Sequence, residues 1–311
     1  MALIEQTLFG VTDKVQIAIE RLRAFQPKDR PYWLAFSGGK DSCVILELCK
    51  MAGVNFEAHY NVTSVDPPEL VRFIKKQHPE VHFDIPHDGR RKPISMWSLL
   101  KSRGMPPTRI ARFCCEKLKE SSGKGTVSIT GVRWAESQNR KKNQGIATIF
   151  AKKAASIEEV KASNHRVTDR GGVVMNDDND EARRAVEVCY RTHKTLVNPI
   201  IDWTDEDVWE FIHKYNVPYC KLYDEGETRL GCIGCPMQGP DGMKRDFEKY
   251  PKYKEQYLRC FDVMYRNRVI RGLDTHGWTC GKDIFDWWIG NSEAKDDALT
   301  LFSEEQIDDE D

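Results

Sequence analysis

The chain has 311 residues, 40% of them hydrophobic, and its 47 Lys and Arg side chains nearly balance its 48 Asp and Glu side chains. A formal net charge of −1 provides no overall attraction to nucleic acid, so such a contact would need a local basic patch. No apolar run approaches the roughly 18 residues of a membrane span, and no secretion signal is recognisable, which predicts a cytoplasmic protein without a membrane partner.

The first half of the chain alternates predicted helices with predicted strands. Helical spacing of apolar residues predicts a helix within residues 1–28, and buried strands are predicted at 31–36, 53–62, 81–85 and 127–132. This alternation predicts an α/β fold with a doubly wound parallel sheet and helices on both faces. In such sheets, ligands bind beyond the carboxyl ends of the strands.

A glycine-rich turn follows the first of these predicted strands. The sequence Ser-Gly-Gly-Lys-Asp-Ser at 37–42 leads directly into a predicted helix. The glycines permit close backbone approach, and the N–H groups of the helix N-terminus form a phosphate site with Ser37, Lys40 and Ser42. A simple connecting turn would need glycine but not Ser, Lys, Asp and Ser at fixed offsets. The spacing also differs from the Walker pattern G-x-x-x-x-G-K-[ST].

The pattern changes at about residues 141–191, where charged and glycine-rich stretches give little core-forming periodicity. This segment is predicted to be an insertion or a mobile lid within a nucleotide-binding domain of residues 29–240. Regular structure resumes after residue 198, where Thr204 is predicted to cap a helix.

The C-terminal region, residues 241–302, is predicted to be helical and is followed by a solvated acidic tail at 303–311. Five large side chains recur at roughly helical spacing, which indicates core packing rather than a base-stacking platform. They are Tyr250, Tyr253, Tyr257, Phe261 and Met264.

Four of the ten cysteines form two pairs in the sequence. In a reducing compartment, paired cysteines are typically metal ligands or catalytic thiols. Cys232 and Cys235 flank a tight turn that suits zinc or an iron–sulfur cluster. Cys114 and Cys115 suit zinc poorly because adjacent side chains diverge, but they can reach two irons of one cubane. A lone zinc ion and unliganded thiols remain alternatives.

Several motifs resemble the phosphoadenosine phosphosulfate (PAPS) reductase family, and they occur in the family's order at 113–119, 129–140, 198–204 and 231–235. The turn at 37–42 resembles the PP-loop, S-G-G-x-D-S, of the adenine nucleotide alpha-hydrolase superfamily. The resemblance implies that superfamily's fold and chemistry at the alpha-phosphate of a nucleotide. The cysteine pairs look like those that bind a 4Fe-4S cluster in the adenylyl sulfate (APS) reductase branch.

The resemblance also assigns roles to residues. The implied cluster ligands are Cys114, Cys115, Cys232 and Cys235. The implied nucleotide-binding residues are Ser37, Gly38, Gly39, Lys40, Asp41, Ser42, Arg133 and Arg140. The candidate catalytic residues are Lys40, Asp41 and Arg133, together with Cys220, which the resemblance does not supply.

The two arginines follow a strand end, and planar guanidinium groups suit phosphate or sulfate, although a solvated position is the alternative for each. Cys220 lies where the reductases usually have no cysteine. It is therefore expected either to replace Cys114 as the fourth ligand or to act as a sulfur-carrying thiol.

Two departures from the reductases determine the predicted function. The chain keeps an intact PP-loop, typical of enzymes that convert ATP to AMP and pyrophosphate, whereas the loop of the reductases is degenerate. The chain also lacks their C-terminal Glu-Cys-Gly-Leu-His segment, and the surroundings of Cys280 do not match it. The leading hypothesis is a 4Fe-4S ATP pyrophosphatase in sulfur transfer that uses Mg²⁺. It resembles the ATP pyrophosphatase of bacterial DNA phosphorothioation systems.

Two alternatives stay open. One is an APS or PAPS reductase that produces sulfite with thioredoxin, and the other is a non-catalytic nucleotide-binding subunit of a defence or phage system. The expected partners are an adenine nucleotide and a sulfur donor, either a cysteine desulfurase or a thioredoxin-like protein. DNA or a partner protein could contact Lys152, Lys153 and the charged insertion. The sequence leaves the oligomeric state open, and a homodimer is compatible with it.

Overall fold

The computed structural model describes residues 3–7, 10–120, 122–123, 125–150, 165–168, 172–189 and 193–291. The chain divides into two compact units. The first comprises Met1–Asn61, Pro68–Asp84 and Ser122–Leu230, and the second comprises Val62–Pro67, Ile85–Ser121 and Gly231–Asp311. Among the described residues, no helix is both long and apolar enough to cross a membrane.

The strands among the described residues all lie in the first unit. They are β1 (Ile4–Thr7), β2 (Gly10–Asp13), β3 (Tyr32–Ala35), β4 (Phe56–Asn61), β5 (His82–Asp84), β6 (Val127–Ile129), β7 (Ala147–Phe150), β8 (His165–Val167), β9 (Val173–Met175) and β10 (Lys194–Val197).

Helices occur in both units. The first unit contains α1 (Lys14–Ala24), α2 (Lys40–Ala52), α3 (Pro68–Gln77), α6 (Gln138–Asn143), α7 (Asp180–Cys189) and α8 (Asp205–Lys214). The second unit contains α4 (Met96–Ser102), α5 (Phe113–Cys115), α9 (Gly239–Lys249), α10 (Pro251–Ile270) and α11 (Gly281–Trp288).

The first unit is built on an eight-stranded sheet with the order β5-β4-β3-β6-β10-β7-β9-β8. Neighbouring strands in the part β5-β4-β3-β6-β10 pair in parallel. The pairs β10-β7, β7-β9 and β9-β8 are antiparallel. The predicted α/β class is therefore confirmed, and the predicted parallel sheet is present except at the edge formed by β7, β9 and β8, which pairs antiparallel. All four predicted strands are present, and the turn at 37–42 follows the carboxyl end of β3, as expected for a ligand site in this fold.

The glycine turn determines where α2 begins. Gly38 has a φ of 74°, and a Cβ atom there would lie 2.7 Å from Leu70 Cδ1, so both conformation and space require glycine. The helix runs from Lys40 to Ala52 and ends at Gly53, which adopts the left-handed conformation common at helix C-termini. Most of α2 is buried, which fixes its N-terminus beside β3.

Two sequence-based expectations differ from the structure. The N-terminal helix is preceded by the β1–β2 hairpin, because residues 10–13 extend and pair with residues 4–7. The segment expected to have little core contains β7 and β9, whose residues Ala147, Ile149, Val173, Val174 and Met175 are buried. These strands are short and separated, so no long periodic pattern marks them. Residues 151–164 and the acidic tail lie outside the described residues.

The second unit has its own apolar core, formed largely by α4, α10 and α11. Tyr257, Phe261 and Met264 are buried in it, and Tyr250 and Tyr253 pack against it, which confirms the predicted core role of this helix. Both cysteine pairs belong to this unit. The expectation that they share a unit with the PP-loop is thus not met.

Thr204 caps α8 as predicted. Its side chain accepts a hydrogen bond from Asp207 N, while the Asp207 carboxylate accepts from Thr204 N at 2.8 Å.

Replacing Thr204 with Ala should lower the free energy of unfolding by about 1 kcal/mol. Urea unfolding would measure this loss, with Thr204→Ser as the control that keeps the hydroxyl. An equal loss in both variants would contradict the capping role.

Candidate functional site

The PP-loop is held by its own hydroxyl groups. The Ser42 hydroxyl donates to the Gly39 carbonyl at 2.8 Å and lies 3.3 Å from both the backbone nitrogen and the hydroxyl of Ser37. Gly39 N donates to the Ser37 hydroxyl at 3.3 Å. These contacts pre-shape the loop before any ligand binds, so little ordering is needed on binding.

Arg133 is buried beside the loop, with a side chain only 2% exposed. Its Nε atom donates to Asp41 at 2.7 Å, and its Nη2 atom donates to Asp205 at 2.7 Å. Nη1 lies 3.4 Å from the Trp203 carbonyl. The guanidinium group is therefore engaged by protein groups, which differs from the expected open anion receptor. In this structure it positions two carboxylates around Lys40.

Lys40 completes this charged group. Its Nζ atom lies 3.3 Å from Asp205 and 3.8 Å from Asp41, and the side chain is 7% exposed. Partial burial raises the pKa of Asp205, but the hydrogen bond from Arg133 and the charge of Lys40 outweigh it and lower that pKa below its usual value. The cluster thus holds two cations and two carboxylates at the start of α2.

Tyr223 reaches the same helix terminus. Its hydroxyl accepts a hydrogen bond from Lys40 N at 2.9 Å, and its ring centroid lies 5.7 Å from Lys40 Nζ. Burial raises the pKa of Tyr223 well above its usual value, so the phenol is neutral at physiological pH.

Two other predicted residues have different surroundings. Arg140 pairs with Glu136, four residues earlier in its own segment. Cys220 is fully buried, and burial is the main cause that raises its pKa. A buried thiol with a raised pKa is a poor nucleophile, so this structure does not favour the predicted sulfur-carrying role.

The four clustered cysteines are neighbours within the second unit. Cys114 hydrogen-bonds to Cys115, and both Cys232 and Cys235 are close enough to raise its pKa. The two pairs, distant in sequence, are therefore brought together by the fold. Among the described residues, however, no group of three or more His, Cys, Asp or Glu side chains converges as a ready metal site.

Basic side chains support negative charge at these cysteines. The hydrogen bond from Cys114, aided by Arg112, lowers the pKa of Cys115 to about 5. Lys119 hydrogen-bonds to Cys232, and the charge of Cys232 is the main cause that raises the pKa of Lys119. Burial still holds the pKa of Cys232 at about 11. Cys115 is thus favoured as a thiolate, whereas Cys232 is favoured as a neutral thiol.

Asp205 and Tyr223 are site residues that sequence reasoning missed. Asp205 lies in an acidic first helical turn, which is fully explained by favourable interaction with the helix dipole. Tyr223 lies in an aromatic segment with no recognisable motif. Only the fold brings either of them to Lys40.

Comparison with known proteins gives a consistent family. The family model "Phosphoadenosine phosphosulfate reductase domain" matches residues 31–238. An uncharacterized protein of Methanocaldococcus jannaschii is 27% identical over 251 residues, covering 77% of this chain and 50% of that protein. A second protein of that organism is 26% identical, covering 73% of this chain and 41% of its own length. The chain thus spans at most half of these relatives.

Two further relatives have assigned activities. Adenosine 5'-phosphosulfate reductase 2 of Bacillus subtilis is 22% identical over 247 residues, covering 74% of this chain and 84% of that protein. The crystal structure of phosphoadenylyl-sulfate reductase from Candida auris in complex with phosphate aligns with a TM-score of 0.42 and 15% identity. That alignment covers 69% of this chain and 87% of the other.

The different surroundings of the two arginines lead to a stability prediction. Arg133→Lys should lower the free energy of unfolding by about 1 to 3 kcal/mol, because one ammonium cannot bridge both carboxylates as the planar fork does. Arg140→Lys should lower the free energy of unfolding by less than about 1 kcal/mol, since Arg140 and Glu136 form a local, partly exposed ion pair. Urea unfolding of both variants measures this contrast. Equal losses would contradict the bridging role of Arg133.

The thiol environment leads to a prediction for metal-free protein. Because its lowered pKa keeps Cys115 as a thiolate above about pH 5, iodoacetamide at about pH 6.5 should modify Cys115 well before Cys232. Arg112→Ala should raise the pKa of Cys115 and slow that reaction. Arg109→Ala, a neighbouring exposed arginine, should leave it unchanged. Mass spectrometry of the modified peptides reports both rates, and a similar slowing in both variants would argue against a specific Arg112 contact.

Proposed function

This chain belongs to the phosphoadenosine phosphosulfate reductase domain family, and we propose that it is an ATP pyrophosphatase that acts in sulfur transfer. The single observation that carries the proposal is the intact loop at 37–42, with Lys40 and α2's N-terminus presenting positive charge together. Such a terminus favours the β- and γ-phosphates of a nucleotide.

In the proposed reaction an acceptor oxygen attacks the α-phosphorus. The bond between the α-phosphorus and its bridging oxygen breaks, and pyrophosphate leaves with the bonding electron pair. Lys40 and the backbone donors stabilise the charge on that leaving group, and Mg²⁺ bound with the nucleotide would supply further neutralisation. Hydrosulfide from a donor protein then bonds to the acceptor atom that carries the adenylylated oxygen, and the bond from that atom to this bridging oxygen breaks, so that AMP leaves with the electron pair.

We further propose that Cys114, Cys115, Cys232 and Cys235 hold a 4Fe-4S cluster. Two cysteine pairs within electrostatic range of each other supply the ligand number and chemistry that such clusters use, and Arg112 and Lys119 favour negative charge on Cys115 and Cys232. When bound, a cluster of this kind can carry sulfur or electrons. The partner that supplies sulfur would be a cysteine desulfurase or a thioredoxin-like protein. The proposal also includes DNA or a partner protein as a contact of Lys152 and Lys153. Both lysines lie outside the described residues.

A second candidate is a sulfonucleotide reductase. It is favoured by the B. subtilis relative, which is named for APS reduction and is covered over 84% of its length. In that case APS or PAPS would occupy the loop, and a dithiol partner would release sulfite. A chain that binds nucleotide without turning it over is the third outcome of the same test.

The deciding experiment incubates anaerobically purified protein with ATP and Mg²⁺, and separately with APS or PAPS and a dithiol, and then separates the nucleotides by chromatography. We expect AMP and pyrophosphate from ATP, with water taking the place of the acceptor, and a rate about 100-fold or more lower in Lys40→Met because a charge-assisted contact to the leaving group is removed. Sulfite from APS or PAPS with untouched ATP would establish the reductase instead. Binding of ATP without any product would establish the non-catalytic alternative.

The cluster leads to its own prediction. Cys235→Ser should lose most of its bound iron and the visible absorption of the cluster, because one of four ligands is removed. Cys280→Ser, which changes a half-exposed cysteine of the same unit, should retain both. Iron analysis and absorption spectroscopy on anaerobic protein measure this. Full iron in Cys235→Ser would contradict the ligand assignment, and loss of iron without loss of sulfur transfer would separate the cluster from the mechanism.

A further inference from the structure

Tyr223 places a hydroxyl group where the PP-loop would receive phosphate. The hydroxyl oxygen lies 2.9 Å from Lys40 N, the first backbone donor of α2. A Cβ atom on Gly39 would lie 3.4 Å from the same oxygen, so the hydroxyl is in van der Waals range of the loop backbone itself. The side chain therefore reaches the phosphate end of the proposed nucleotide site.

The ring that carries this hydroxyl is held from several directions. Tyr223 ends a short 3-10 turn, Lys221–Tyr223, in which Leu222 is only 1% exposed. The Trp209 ring meets Tyr223 edge-on, with centroids 5.4 Å apart and an interplanar angle of 88°. Lys40 Nζ lies on the ring at 5.7 Å from its centroid. The hydroxyl position is thus fixed by packing rather than by its hydrogen bond alone.

The hydrogen bond leaves Tyr223 able to act as a donor. The phenol oxygen accepts from Lys40 N, and its own proton can point in a second direction. Accepting one hydrogen bond polarises an O–H group and strengthens the bond that it donates. Because Tyr223 is neutral at physiological pH, that proton is present in the working range.

We propose that Tyr223 binds the pyrophosphate part of the nucleotide by donating its hydroxyl proton to a phosphate oxygen. The hydroxyl group thereby accepts from Lys40 N on one side and donates to the phosphate oxygen on the other. The inference rests on the proposed function, since it assigns a further ligand contact to the same loop. In the opposite arrangement, the hydroxyl would compete with phosphate for Lys40 N. Removing the hydroxyl in Tyr223→Phe would then make the ligands bind more tightly instead of more weakly.

The experiment measures the binding of inorganic pyrophosphate and of ATP by calorimetry in the native protein and in Tyr223→Phe. This substitution removes only the hydroxyl and keeps the ring with its contacts to Trp209 and Lys40. We expect both ligands to bind about tenfold more weakly, as for the loss of one hydrogen bond to a charged group. Urea midpoints of the two proteins should agree, which separates loss of a contact from loss of structure.

The matched control is Tyr219→Phe. Tyr219 belongs to the same aromatic group, but its hydroxyl donates to Asp224 at 3.0 Å instead of reaching the loop. Its variant should bind pyrophosphate as the native protein does. Unchanged or tighter binding in Tyr223→Phe, or an equal loss in both variants, would overturn the assignment while leaving the phosphate site intact. Failure of the native protein to bind either ligand would overturn the phosphate site and the assignment together.

Discussion

The buried guanidinium group of Arg133 is the contact on which the arrangement of the candidate site depends. It joins Asp41, in the first turn of α2, to Asp205, in the first turn of α8, at 2.7 Å each. Because the guanidinium group is only 2% exposed, burying its charge would be costly without these two carboxylates. The same two carboxylates fix the ammonium of Lys40. One buried cation thereby sets the position of the Lys40 ammonium group that would contact a phosphate.

This arrangement explains why an anion site can exist in a chain with almost no net charge. The loop combines a helix N-terminus, a lysine and hydroxyl groups, and each adds a small local attraction. The cysteine group follows the same logic with opposite signs, since Arg112 and Lys119 stabilise negative sulfur. Both candidate sites thus depend on short-range electrostatics within their own unit, and the total charge says little about either.

Local patterns made part of this site predictable. The strand, glycine turn and helix at 32–52 could be identified because all their signals are contiguous, and the cap of α8 was predicted for the same reason. The sequence did not reveal that Arg133 would be enclosed by Asp41 and Asp205, since those pairings are long-range. It also did not reveal that Cys220 is buried, because burial depends on surrounding elements. The strands β7 and β9 were missed because each is too short to show alternation.

The central claim is that the loop at 37–42 directs cleavage to the α-phosphate of an adenine nucleotide. The most direct test is phosphorus-31 NMR of ATP turned over by the native protein with Mg²⁺ in ¹⁸O-labelled water. The account predicts resonances of AMP and pyrophosphate, with any solvent oxygen carried by AMP because attack occurs at the α-phosphorus. Resonances of ADP and labelled inorganic phosphate would show attack at the γ-phosphorus and would contradict the account.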